Sequence, residues 1–352
     1  DAAAAPPATD GGGLLGTGDA AATTPAPQPG QYVNDQFADL HALVYGADGQ
    51  PPALDGLLSD FRDLYRGLNA LQTSGGTMPQ ELAAALQKVN EASGTLPEPL
   101  GGVVAEVMAA TATVSAGGAR SQLRQSYETT VLPACEQALA NRYPFDPLSA
   151  NEVSLVAFAQ VLGPGGLLDS FFQQNLAQLV DVSKKPWEWK PEAVSLNLSN
   201  AALQQFERAD AIRKVFFAAG ATPSVQFTVT PDVMSETINR AVLTVDGQVM
   251  RYSFGPNTPV RMVWPGPDGP PGASIAFTPP IAGQPNSATY QGPWGWFRML
   301  DAADVQPGTT SDKLDVTIAA GERSLTIEVG AEGVTNPFVM PELREFRCPT
   351  TL

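Results

Sequence analysis

The chain has 352 residues, 43% of them hydrophobic, which allows one to three domains and excludes wholesale disorder. Its 20 Lys and Arg stand against 36 Asp and Glu, a formal net charge of −16. That sign excludes a nucleic-acid binder, which needs basic surface against phosphates, and argues against adhesion to an anionic leaflet.

The first 30 residues are almost all Ala, Pro, Gly, Thr and Asp. Such a segment has too little apolar bulk to offset its ordering entropy, so residues 1–30 read as a linker. The chain starts at Asp1 without an initiator Met, and this reading expects it to be a segment of something longer. From 31 to 220 the apolar spacing is helical. Gly101–Gly118 is the best candidate for a long apolar run, but it is rich in Ala and Thr and carries Glu106. It reads as a soluble helix, and no segment is expected to span a bilayer. Leu123, Tyr127, Val131, Cys135 and Leu139 then recur every four residues, placing Cys135 on a packed stripe, and Pro133 predicts a kink.

In "ANRYPFDPLSANEV" Pro144 cannot continue a helix, while Ser149 and Glu152 have the spacing of a capping box that starts the next one. Leu168, Phe171, Phe172, Leu176 and Leu179 form another helical face. Ser199 reads as the N-cap of a helix carrying Leu203, Phe206, Phe216 and Phe217, which Gly220 stops. At Pro223 the period changes to two. "SVQFTVT" alternates, Asp246-Gly247 is a two-residue hairpin loop, and Leu314, Val316 and Ile318 pair with Leu325, Ile327 and Val329 across a longer turn. The fold class is α+β: an N-terminal all-helical domain over 31–220, then a C-terminal β-sandwich over 222–352.

Chemistry finds little footing. His41 is the single histidine, no serine lies in a nucleophile elbow, and neither Cys135 nor Cys348 sits in a nucleophile signature. Metal-ligand clusters and phosphate loops are also missing from the sequence, so no catalytic residue, metal or cofactor is expected. Carboxylate pairs stay open as an alternative to a solvated acidic surface. Trp294 and Trp296 could stack on sugar rings, but a short helix plugged onto the sandwich edge explains them better.

The landmarks "CEQALANRYPF", "FAQVLGPGGLLDSFFQQNLAQLVD", "WEW", "GPWGWFRMLD" and "NPFVMPELREFRCPTTL" follow in order from about Ser121 to Leu352. Together they resemble the C-terminal periplasmic region of the TssM/IcmF family, the large inner-membrane component of the type VI secretion system. The resemblance implies a structural protein of the trans-envelope membrane complex, located in the periplasm. Its implied partners are the outer-membrane lipoprotein TssJ, other membrane-complex subunits and further TssM copies, with no nucleotide bound in this region. It makes Arg142-Tyr143-Pro144-Phe145 a fixed corner, with Tyr143 and Phe145 in the core and Arg142 reaching a carbonyl or carboxylate. In an oxidising periplasm Cys135 and Cys348 either bridge or remain two separately buried thiols. Binding is expected mainly on the β-domain, through Pro/Gly-rich loops presenting Trp264 and Tyr290. The alternative is a periplasmic cell-wall-active or glycan-binding protein.

Overall fold

The computed structural model describes residues 30, 33, 36–46, 49, 51–73, 80–267, 269–333 and 336–352. Apart from Gly30, the expected 1–30 linker lies outside the described residues. The chain divides into two compact units, one within residues 1–66 and 81–108, the other within 67–80 and 109–352.

The first unit is helical. It contains α1 (Ala38–Tyr45), most of α2 (Ala53–Thr73), nearly all of α3 (Gln80–Ser93) and the start of α4 (Leu100–Ser126). Leu54, Leu57, Phe61 and Leu64 repeat on one side of α2, and Leu57 packs with Val89 of α3 and Val104 of α4.

In the second unit, α4 passes into a five-residue π-helix, Tyr127–Val131, then α5 (Leu132–Leu139). The wide turn falls where Pro133 lacks an N–H to offer the preceding turn, so the predicted kink takes the form of a π-bulge. Next come α6 (Leu155–Leu162), α7 (Leu167–Phe171), a second π-helix over Phe172–Leu176, and α8 (Asn200–Phe216). Two strands, β1 (Val180–Asp181) and β2 (Glu188–Trp189), form a small ladder between them. Ser199 caps α8 by accepting from Ala202 N at 3.2 Å.

Two expectations need correction. The runs Leu100–Leu139 and Leu155–Leu176 each reach the length and mean hydropathy (1.4) of a membrane span, although none was expected to. The second run buries Phe158, Leu162, Leu168 and Phe171, as a core helix does. Nor do Ser149 and Glu152 cap a helix. α6 begins later, with Ser154 accepting from Ala157 N at 3.1 Å. Ser149 instead donates to Asn141 O at 2.7 Å, and Glu152 pairs with the distant Arg298 at 2.6 Å. A long-range ion pair has taken the side chain that local spacing assigned to a cap.

The sandwich follows. Its five-stranded sheet runs β6-β3-β11-β10-β9 and its four-stranded sheet β5-β4-β7-β8, every neighbouring pair antiparallel. The first comprises β3 (Val225–Met234), β6 (Val260–Trp264), β9 (Asp304–Pro307), β10 (Lys313–Ala320) and β11 (Arg323–Ala331). The second comprises β4 (Arg240–Val245), β5 (Gln248–Tyr252), β7 (Gly272–Thr278) and β8 (Ser287–Gln291). Asp246 and Gly247 turn the β4–β5 hairpin with φ of 46° and 83°, the left-handed pair that a two-residue turn of this hand requires. Leu314 faces Val329, Val316 faces Ile327 and Ile318 faces Leu325, but the β10–β11 turn is only Gly321-Glu322, shorter than expected. Helix α9 (Gly295–Ala302) follows β8 and packs against β7 to β10; the chain closes with α10 (Pro341–Glu345) and a tail.

Candidate partner-binding interface

The helices 118–222 and the sandwich share one core. Phe158 meets Trp294 at 5.2 Å between ring centres, Phe216 meets Trp264 at 5.9 Å, and Trp264 lies 4.8 Å from Trp294 and 4.9 Å from Phe297. Both indoles find acceptors: Trp264 Nε1 donates to Pro293 O at 2.8 Å and Trp294 Nε1 to Val153 O at 2.7 Å. An aromatic body with a satisfied polar tip suits a buried junction.

This geometry overturns one expected interface residue. Trp264 has 0% of its surface exposed, so it fastens the sandwich to the helices and offers nothing to a partner. The strand pattern carried the signal, because Met262 and Trp264 alternate inward along β6. Tyr290 is half-buried on β8. Trp294 and Trp296 are likewise 0% exposed, which removes the sugar-stacking platform on which the glycan-binding alternative leaned.

The corner 142–145 is tied to both the sandwich and the tail. Tyr143 OH donates to Asp301 Oδ2 at 2.6 Å, while the guanidinium groups of Arg298 and Arg344 lie 4.0 and 4.9 Å from its ring centre. Burial pushes the Tyr143 phenol up, opposed by the positive charge of Arg344. Arg344 also donates to Pro144 O at 2.8 Å and pairs with Asp301 at 2.6 Å. The role expected of Arg142 therefore belongs to Arg344. Arg142 is exposed, and among the described residues its guanidinium has no hydrogen bond or ion pair. Cys135 on α5 and Cys348 on the tail are joined by a disulfide with Cα atoms 6.0 Å apart. Phe346 packs on Phe145 at 5.7 Å, and Arg124 Nε holds Leu352 O at 2.9 Å.

Asp169 and Asp210, a close carboxylate pair, are both clamped by Arg213, with Lys214 also on Asp210. His41 is exposed on α1 beside Tyr45, and among the described residues no group of three His, Cys, Asp or Glu could hold a metal.

The outer rim of the four-stranded sheet is different in kind. A shallow groove of about 470 Å³ is lined by Thr244, Ser274, Thr289, Tyr290, Pro270 and Pro271, all uncharged. Asp246 shapes the neighbouring loop by accepting from Gly266 N at 3.0 Å and Gly272 N at 2.8 Å. Its burial pushes the carboxyl up from the ordinary range, against the lowering effect of those two N–H groups.

Comparison with known proteins fits this architecture part by part. The model of the type VI secretion protein IcmF helical domain matches residues 118–222, and that of the IcmF C2-like domain matches 227–333. A Pseudomonas aeruginosa protein described as type VI secretion system component TssM1 is 32% identical over 338 residues. The match covers 92% of this chain and 31% of that protein, so the chain spans less than a third of its relative. Among solved structures, a type VI secretion system membrane core complex superposes with a TM-score of 0.74 at 20% identity, covering 91% of this chain and 70% of that one. The TssM C-terminal domain from EAEC gives 0.58 at 23% identity, covering 66% and 98%. These structural likenesses speak to the fold; the two adjoining domain matches and the long sequence relative speak to descent. The chain belongs to the TssM/IcmF family.

Proposed function

We propose that this chain is the periplasmic part of a type VI secretion membrane-complex component, and that it works by binding rather than by chemistry. The observation that carries this reading is the sequence relationship over 92% of the chain to a protein described as TssM1. The partner is a TssJ-like outer-membrane lipoprotein, with other membrane-complex subunits and further copies of the same protein in the assembly. The β-sandwich carries the contact. In its favour, the helices 118–222 turn their aromatic residues inward, whereas the groove beside β8 on the four-stranded sheet is lined by uncharged residues.

The test uses the whole chain, because cutting at Gly220 would tear open the core that holds Trp264 and Trp294. Purified chain and unacylated cognate lipoprotein should co-elute, and substitutions on the sandwich rim should weaken the complex more than substitutions on exposed helix residues such as Val156 and Val194. Equal sensitivity on both sides would end the β-domain assignment.

A further inference from the structure

The sandwich has four edge strands, and three are guarded. β6 carries Arg261, and its outward backbone at Val263 is occupied: Val263 N donates to Gln248 Oε1 at 2.9 Å and Val263 O accepts from Gln248 Nε2 at 2.7 Å. β5 carries Arg251. β9 is four residues long, begins with Asp304 and ends with Pro307. Charge, proline and side-chain capping are the devices that keep sheet edges from pairing with other chains.

β8 has none of them. Its sequence, Ser-Ala-Thr-Tyr-Gln, holds no charge and no proline. It sits at the centre of the longest uncharged context in the sandwich, since residues 269–297 contain no Asp, Glu, Lys, Arg or His. The ladder direction follows from its ends. Phe277 N donates to Asn286 O at 2.8 Å and Gly292 N to Pro271 O at 3.2 Å. By antiparallel alternation the inward rungs are Asn286, Ala288, Tyr290 and Gly292. The backbone N–H and C=O of Ser287, Thr289 and Gln291 therefore point away from β7, and all three residues are exposed. Among the described residues these backbone groups have no hydrogen-bond partner. α9 packs against β8 and leaves those three residues exposed.

We infer that the β8 edge is the docking line of the lipoprotein partner, which adds an extended, uncharged segment of its own as a fifth strand. This rests on the lipoprotein reading above. A row of alternating donors and acceptors is complementary to an extended backbone and to little else, so the edge itself selects the occupant's conformation. The composition of β8 selects that of its occupant, because Ser287, Thr289 and Gln291 offer no opposite charge across the new pairing to a charged side chain of the incoming strand. Tyr290, half-buried on the inner side, anchors β8 while Thr289 opens onto the groove that receives the new strand's side chains.

The test is Thr289→Pro in the whole chain, with Thr289→Lys beside it. The Thr289 N–H points outward, so proline there removes a docking donor without removing an internal rung, while lysine restores the missing guard. Affinity for the purified, unacylated lipoprotein should fall at least tenfold in both variants while their melting temperatures stay near that of the unaltered chain. In the unaltered complex the amides of Ser287, Thr289 and Gln291 should exchange at least tenfold more slowly than in the free chain. If the unaltered chain binds and both variants bind equally well, the edge inference is wrong and the lipoprotein reading stands. If the unaltered chain does not bind the lipoprotein, the reading fails and the inference with it. Should Thr289→Pro unfold, Thr289→Lys and the exchange measurement decide. If the lipoprotein leaves the three amides unprotected but the chain alone dimerises and Thr289→Lys abolishes the dimer, the occupant is a second copy and the inference is overturned.

Discussion

β6 and β8 are both five-residue edge strands of the same sandwich, one in each sheet, yet they have opposite fates. β6 turns Met262 and Trp264 into the core, where Trp264 touches Phe216 of the helices, and its free side is capped at Val263 by the amide of Gln248. β8 turns only Ala288 and Tyr290 partly inward and leaves its free side open. The difference is made by residues outside the strands. An aromatic helix end and one glutamine convert an edge into a fastening, and where both are missing the edge remains available to another chain. Stability should therefore concentrate at β6 and binding at β8.

The hardest blow to that division is Trp264→Ala. It removes a fully buried indole, its bond to Pro293 O and its contacts with Trp294 and Phe297. Loss of a buried Trp of this kind costs about 3–5 kcal/mol, read from the shift in urea midpoint at constant slope. A loss below about 1 kcal/mol, together with weakened lipoprotein binding, would return Trp264 to the interface. Reducing the Cys135–Cys348 bond should come next, at about 2–5 kcal/mol, because it releases a closure spanning 213 residues. Thiol counting on denatured, unreduced chain should find no free thiol. The tail's attachments at Tyr143, Pro144 and Asp301 remain after reduction, so the chain should stay folded at moderate denaturant.

Gln248→Ala sharpens the comparison rather than breaking it. It strips the cap from Val263, leaving one N–H and one C=O to find water at the rim. A cost of about 1 kcal/mol is expected, the usual net worth of such bonds. The more telling readout is association. Because Arg261 still guards β6, light scattering should find the variant no more associated than the unaltered chain, and its affinity for the lipoprotein should be unchanged.

How much of this was legible in the sequence depends on the range of the interactions. Short-range chemistry could be read directly. The period change at Pro223, the Asp246-Gly247 turn, the facing of Leu314 with Val329 and the Ser199 cap all depend on neighbours a few residues away. Readings failed where a distant partner claimed a side chain. Glu152 has capping-box spacing, yet Arg298, 146 residues onward, holds it. Arg142 is the arginine beside the corner, yet Arg344 serves it across 200 residues. Trp264 was misjudged for another reason: its loop neighbours, Pro265 to Gly272, suggested exposure, while its own place in an alternating strand pointed inward. The guard on β6 was illegible as well, since nothing local to Gln248 says which backbone its amide will meet.

The smallest effect concerns the loop that borders the groove. Asp246 is buried, has no cationic partner among the described residues, and accepts from Gly266 N and Gly272 N. Burial holds its carboxyl above the ordinary value of 3.8 in the folded chain. The folded state therefore binds this proton more tightly than the unfolded state. The sign follows: the carboxyl's contribution is fully present below pH 3.8 and is lost as pH rises through the elevated folded value. Asp246→Asn removes the titration while keeping one oxygen for one of the two N–H groups, and asparagine tolerates the left-handed φ of 46°. Urea midpoints for the two proteins between pH 3 and pH 7 should show the unaltered chain losing ground to the variant as pH rises. A difference that stays flat, or runs the other way, would mean that the two backbone N–H groups outweigh burial. The carboxylate would then be a net fastening of the loop at neutral pH, and the rim beside β8 would be held as firmly as the Gln248 cap holds β6.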